Sequence, residues 1–167
     1  MAYTGINKSN LHFNTILYTG NGSNTQAITG VGFQPDFTWI KCRSTSHDHY
    51  SFDAVRTNKK GLEPSDTSAE RTPTLGSFDS DGFTFASTDG FYNANNDTYV
   101  AWNWKANGAG SANTDGDINS TVSANQTAGI SIVKYQGNGS NDQRVGHGLG
   151  TRPVTWWIKR LDSADDW

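Results

Sequence analysis

The groups in this chain whose types and spacing could do chemistry are its carboxylates, its histidines and one aromatic loop. Glycoside hydrolysis takes two carboxyl groups placed across a cleft. The only glutamates, Glu63 and Glu70, fall in a polar stretch interrupted by Pro64 and Pro73, and no Glu-x-Asp-x-Glu pattern is present. His47 and His49 in SHDHY would project from one side of a strand, a geometry open to a transition metal, but no third ligand is evident. Asp79 and Asp81 in FDSDGF, and Asp115 and Asp117 in TDGD, have the alternate spacing of calcium loops. Neither stretch supplies the further EF-hand ligands, and turn chemistry is the preferred reading. Tyr92, Asn93, Asn95, Asn96 and Asp97 put a ring beside amides and a carboxylate in one loop. A ring stacks on the apolar face of a sugar while amides and carboxylates meet its hydroxyls. These five residues are the candidate ligand site, against the alternative of a connecting loop whose Phe91 and Tyr92 pack inward. Cys42, the single cysteine, reads as a strand residue, and His12 and His147 have no partner that spacing identifies. The reading therefore carries no catalytic residue, resident metal or cofactor.

The elements that position these groups read as β-strands. Helix formers such as Leu, Met and Glu are scarce, while β-branched and aromatic residues alternate between Gly, Asn, Ser and Asp. Strands are expected over residues 13–20 (FNTILYTG), its second-copy partner 130–137 (ISIVKYQG), 35–43 (PDFTWIKCR), 46–56 and the end of the run 91–108, where residues 99–104 alternate, with a hairpin over 77–88. In the second strand Phe37, Trp39 and Lys41 share one face, and Thr38, Ile40 and Cys42 the other. Trp102 and Trp104 alternate on one face of the closing strand as core or sheet-packing residues. Residues 57–74 read as a long exposed loop. The net charge of −3 with scattered basic residues excludes a nucleic-acid groove. No apolar run has the length of a membrane span, and the N-terminus lacks the hydrophobic core of a secretory signal.

The chain also repeats itself. YTGNGSNTQ at residues 18–26 returns as YQGNGSNDQ at 135–143, and Gly30, Gly32, Pro35, Trp39, Ile40 and Lys41 return as Gly148, Gly150, Pro153, Trp157, Ile158 and Lys159. A period close to a whole domain means two copies of one unit. The shared Asn-Gly pairs, in Gly20, Asn21, Gly22 and in Gly137, Asn138, Gly139, are turn signals that tolerate positive φ. The organisation expected is a polar leader and anchor at 1–12, a β-sandwich at 13–107, a linker at 108–128 and an incomplete second copy at 129–167. The native chain is expected to continue. Matching Trp39 and Trp157 suit a shared core position, and Trp156, opposite Thr38, would face a neighbouring domain or subunit.

GVGFQPDFTWIK, FDSDGF, DTYVAWNWKANG and GHGLGTRP together resemble tandem-repeat virion-surface or tail-fibre-like proteins of tailed bacteriophages, many of them marine. The resemblance implies an all-β antiparallel jelly-roll sandwich similar to concanavalin A-like, laminin-G-like and SPRY-like domains. It also implies a virion structural role, with repeats along an appendage and other virion proteins as partners. A homo-oligomer, a trimer first, and a host-surface glycan complete the expected partners, without nucleic acid or membrane insertion. The alternatives are a capsid-surface decoration protein and a glycan-active enzyme. Release by host lysis would account for an exterior protein without a signal peptide.

Overall fold

The computed structural model describes residues 6–72 and 75–167, so residues 1–5 of the expected leader and Pro73 lie outside the described residues. After a short 3-10 turn at Ser9–Leu11 come eleven strands among the described residues. They are β1 (Phe13–Thr19), β2 (Ala27–Ile28), β3 (Phe37–Cys42), β4 (Tyr50–Asp53), β5 (Thr57–Leu62), β6 (Leu75–Asp79), β7 (Gly82–Phe85), β8 (Thr98–Trp104), β9 (Ser111–Asn113), β10 (Ser120–Asn125) and β11 (Ile130–Tyr135).

Alternation explains the main sheet. Thr38, Ile40 and Cys42 of β3 are buried while Phe37, Trp39 and Lys41 are half-buried, and β8 repeats the pattern with Tyr99, Ala101 and Asn103 buried. Period-two burial is what a sheet with one face on a core requires. β1, β8, β3, β4 and β5 form a five-stranded sheet in that order, and β2, β7 and β6 a three-stranded one; every pairing is antiparallel. Ile40, Cys42, Tyr50, Phe52, Tyr99 and Ala101 of the larger sheet close on Ile28, Leu75, Phe83 and Phe85 of the smaller, giving an antiparallel β-sandwich. Tyr18 stacks on Tyr99 at 5.1 Å, and Tyr92 on Phe85 at 5.2 Å between ring centroids.

Three expectations need correction. The polar stretch from residue 57 begins with a strand: β5 pairs with β4 at the sheet edge, where charged side chains are tolerated and protect against aggregation. Residues 108–128, expected as linker, carry β9 and β10, which join β11 in a third antiparallel sheet. Ser123 is buried and accepts a hydrogen bond from the Asn107 N–H at 2.8 Å, so this sheet sits against the end of the sandwich. Finally, residues 153–159, which share Pro, Trp, Ile and Lys with the β3 region at residues 35–41, are not in a strand. In the first copy β3 lies between β8 and β4. Among the described residues no strand pairs with 153–159.

Candidate functional site

The aromatic loop between β7 and β8 is built from the inside of the sandwich outward. Tyr92 and Asn93 are fully buried. The Asn93 amide donates to the carbonyls of Ser23 at 2.6 Å and Ser87 at 3.1 Å, and its oxygen accepts from the Asn21 N–H at 3.3 Å. Asn96, at φ 66°, donates its N–H to the Gly20 carbonyl, and Gly20 donates to the Asp97 carbonyl. The Asp97 carboxylate accepts from Ser44 Oγ at 2.9 Å. The five candidate residues are thus brought together, but Tyr92 and Asn93 cannot meet a sugar, and Asp97 is held by Ser44. Asn95 and Asn96 alone are exposed. The loop fastens the β1 corner to the core.

The Asp79 and Asp81 carboxylates are equally engaged. Asp79 accepts from Ser77 Oγ at 2.6 Å and Thr84 Oγ1 at 2.7 Å across the β6–β7 hairpin. Asp81 accepts from the N–H groups of Gly30 at 3.0 Å and Gly32 at 2.5 Å, pinning the loop before β3. Both glycines have φ near +88°, a region that disfavours a side chain. Asp117 is bound by Arg144 at 3.0 Å, which holds its carboxyl below the ordinary carboxylate range. Asp115 accepts from the Asn113 amide. A shallow cavity of about 500 Å³ opens beside Asp115, Arg144, His147 and Arg152, with that ion pair at its side.

The histidines separate because the strand starts only at Tyr50. His47 packs on Phe91 at 5.5 Å, toward the core. His49 lies on the opposite face, where its Nδ1 accepts from Trp39 Nε1 at 2.8 Å. Burial first, then the Lys41 ammonium, hold the His49 imidazole below its ordinary value. Among the described residues no group of three or more His, Cys, Asp or Glu is arranged to hold a metal. The glutamates are ion-paired: Glu63 with Arg71 at 3.0 Å, Glu70 with Arg56 at 3.3 Å and Lys60 at 3.4 Å. Burial pushes the Glu63 carboxyl up, against the opposing pull of Arg71.

What the strand pattern did not single out is the outer face of the five-stranded sheet. Phe13, Trp104 and Phe37 stand side by side across three strands, with centroids 4.9 and 5.3 Å apart. Trp102 and Trp39 are paired one row along, and Leu17, 62% exposed, lies beyond. Trp39 is therefore an outer-face residue, which corrects the shared core position expected from its match with Trp157. Trp102 and Trp104, expected as core or sheet-packing residues, stand half-buried on this same outer face, while Tyr99, Ala101 and Asn103 take the core side. Alternation set Trp39 apart from Ile40, and only the facing sheet says which side is core.

The duplicated turns keep the same chemistry in both copies. The Asn21 side chain accepts from the Ser23 N–H at 2.8 Å, and Asn138 from Ser140 at 3.0 Å. Gly22 and Gly139 have φ of 64° and 75°. Lys41 Nζ donates to the carbonyls of Cys42 and His47, and Lys159 Nζ to those of Arg160 and Asp165, one and six residues on in each case. These contacts are local, so they form whether or not the sheet around them is complete.

Neither the curated proteins nor the solved structures yield a match to this chain. A family profile described as Domain of unknown function (DUF7483) matches residues 8–167, across the whole sandwich and the turns of the second copy. The chain belongs to that family.

Proposed function

We propose that this chain is a structural protein of a bacteriophage particle, a tail fibre or similar appendage, whose jelly-roll unit recurs along the chain and meets host-surface glycan. The observation that carries the reading is the duplication: two copies share residues and local hydrogen bonds. Such a unit is suited to serial arrangement, in which many weak contacts in an oligomer, a trimer first, give avidity. The side chains for a glycan are those of the outer sheet face, Phe13, Phe37, Trp39, Trp102 and Trp104, because rings stack on apolar sugar faces. Residues 1–12 are assigned the docking to other virion proteins.

Mass spectrometry of purified particles tests the assignment, with this chain expected among the virion proteins. Absence from particles removes it. A glycan array tests the contact, where Trp102→Ala is expected to abolish binding and Asn95→Ala to leave it unchanged. Equal binding by both variants would move the contact off this face.

A further inference from the structure

An asparagine followed by glycine can be attacked by its own main chain, because glycine carries no side chain to shield its nitrogen. The chain holds three such pairs, Asn21-Gly22, Asn107-Gly108 and Asn138-Gly139. Two of them are tied. The Asn21 side-chain oxygen accepts from the Ser23 N–H at 2.8 Å. The Asn138 oxygen accepts from the Ser140 N–H at 3.0 Å, and its amide donates to Gln143 Oε1 at 3.0 Å. Asn107 is exposed, and its side chain has no hydrogen-bond partner among the described residues. Gly108 sits at φ 64°, and a Cβ there would meet nothing within 4 Å, so the approach is open.

We propose that Asn107 is a self-modification site, at which ring closure onto Gly108 converts the asparagine to isoaspartate and aspartate and loosens the third sheet from the sandwich. The Gly108 nitrogen attacks Asn107 Cγ; the new N–C bond forms, the Cγ–Nδ2 bond breaks, and ammonia leaves with the proton given up by Gly108. Water then opens the cyclic imide at either carbonyl. One opening gives aspartate, and the other gives isoaspartate, whose main chain runs through the former side chain. Ring closure needs the side chain to rotate toward the next nitrogen, which the ties on Asn21 and Asn138 oppose. The consequence follows from position. The Ala106 N–H donates to the buried Asp36 carboxylate at 2.7 Å, the Asn107 N–H donates to Ser123 Oγ at 2.8 Å, and Ser111 pairs with Val122. The turn over 107–111 is thus pinned at both ends to neighbouring residues of β10. It is also tight, since a Cβ on Gly110 would stand 2.8 Å from the Val122 carbonyl oxygen. Isoaspartate adds a methylene to the main chain inside this turn, and the tie from Asn107 to Ser123 lies beside it.

The test ages the full chain in mildly alkaline heavy-oxygen water and maps its peptides by mass, because the opening water leaves its oxygen in the product. Asn107 is expected to take up label about fivefold faster than Asn21 or Asn138, with isoaspartate as the main product in an isoaspartyl methyltransferase assay. Amide exchange at residues 107 and 120–123 of the aged chain is expected to quicken by about threefold or more, while residues 98–104 stay unchanged. Asn107→Gln is expected to remove both the label and the change in exchange. Asn107→Asp, which carries the charge without the longer main chain, is expected to exchange like the fresh parent. Label that enters Asn21 or Asn138 first, or never enters Asn107, overturns the site. Label at Asn107 with unchanged exchange overturns the loosening of the third sheet.

Discussion

Trp39 and Trp157, equivalent positions of the two copies, meet edge to face with their ring centroids 5.5 Å apart. An edge-to-face pair is worth about 0.5–1.5 kcal/mol beyond its buried area, and the exposure of Trp157 places this one at the low end. A double-mutant cycle of Trp39→Ala and Trp157→Ala in urea unfolding is expected to show coupling of about 0.5 kcal/mol. Strict additivity would mean that the copies touch without stabilising each other.

The same tryptophan makes that corner sensitive to acid. Trp39 Nε1 donates to His49 Nδ1, which must therefore be unprotonated. Burial and then Lys41 hold this imidazole below its ordinary 6.5. A base with a depressed folded pKa stabilises the fold above its unfolded value, and that contribution is lost as pH falls from about 6.5 to the lowered value. The Trp39 indole N–H resonance is expected to shift over that window, and His49→Gln to abolish the shift. A titration centred above pH 6.5 would contradict the geometry.

Gly20 and Gly137 occupy the same place in the repeat and predict opposite outcomes. A Cβ on Gly20 would stand 2.2 Å from the Ala94 carbonyl oxygen, while one on Gly137 meets nothing within 4 Å. Gly20→Ala is expected to cost about 1–3 kcal/mol in denaturant unfolding. Gly137→Ala is expected to stay within about 0.5 kcal/mol of the parent. Similar losses for both would show that the second copy is packed as tightly as the first.

Asn93 and Asn95 separate framework from surface within one loop. Removing the buried Asn93 amide leaves the Ser23 and Ser87 carbonyls without their donor. Asn93→Ala is expected to cost about 2–3 kcal/mol. Asn95→Ala is expected to change stability by less than about 0.5 kcal/mol. An Asn93→Ala protein of parental stability would show that water replaces the amide.

Asp81 provides a test of the calcium alternative. Its carboxylate already takes the Gly30 and Gly32 N–H groups, so Asp81→Ala is expected to lower stability by about 2 kcal/mol. Calcium is expected to leave the Tm of the parent unchanged. A rise of several degrees on adding calcium would restore a metal at the hairpin.

The strands of the sandwich were legible because one-sided burial writes itself as period-two alternation, as in Phe37–Cys42 and Thr98–Trp104. β5 was not, because Asn58, Lys59 and Lys60 on an edge strand look like a loop until a neighbour supplies hydrogen bonds. Residues 153–159, in the expected second copy, form no strand although they share Pro, Trp, Ile and Lys with the β3 region, because strand pairing is long-range. Of the candidate ligand loop, sequence located the residues but not their depth. Tyr92 and Asn93 have the same types on a surface loop as in a core, and only the Phe85 ring and the Ser23 carbonyl decide between them.

β8 lies between β1 and β3 although it follows both in the chain, and Asn103 reaches back to Asn14 across 89 positions. An interior strand of the main sheet is therefore the last of that sheet's strands to leave the ribosome. Until it emerges, β1 and β3 have no ladder between them, and closing so large a loop is slow compared with forming the turns. During synthesis the sandwich thus passes through an open stage with its turns set and the strand between β1 and β3 missing. Nascent repeats in that stage would be clients for a chaperone, or for one another.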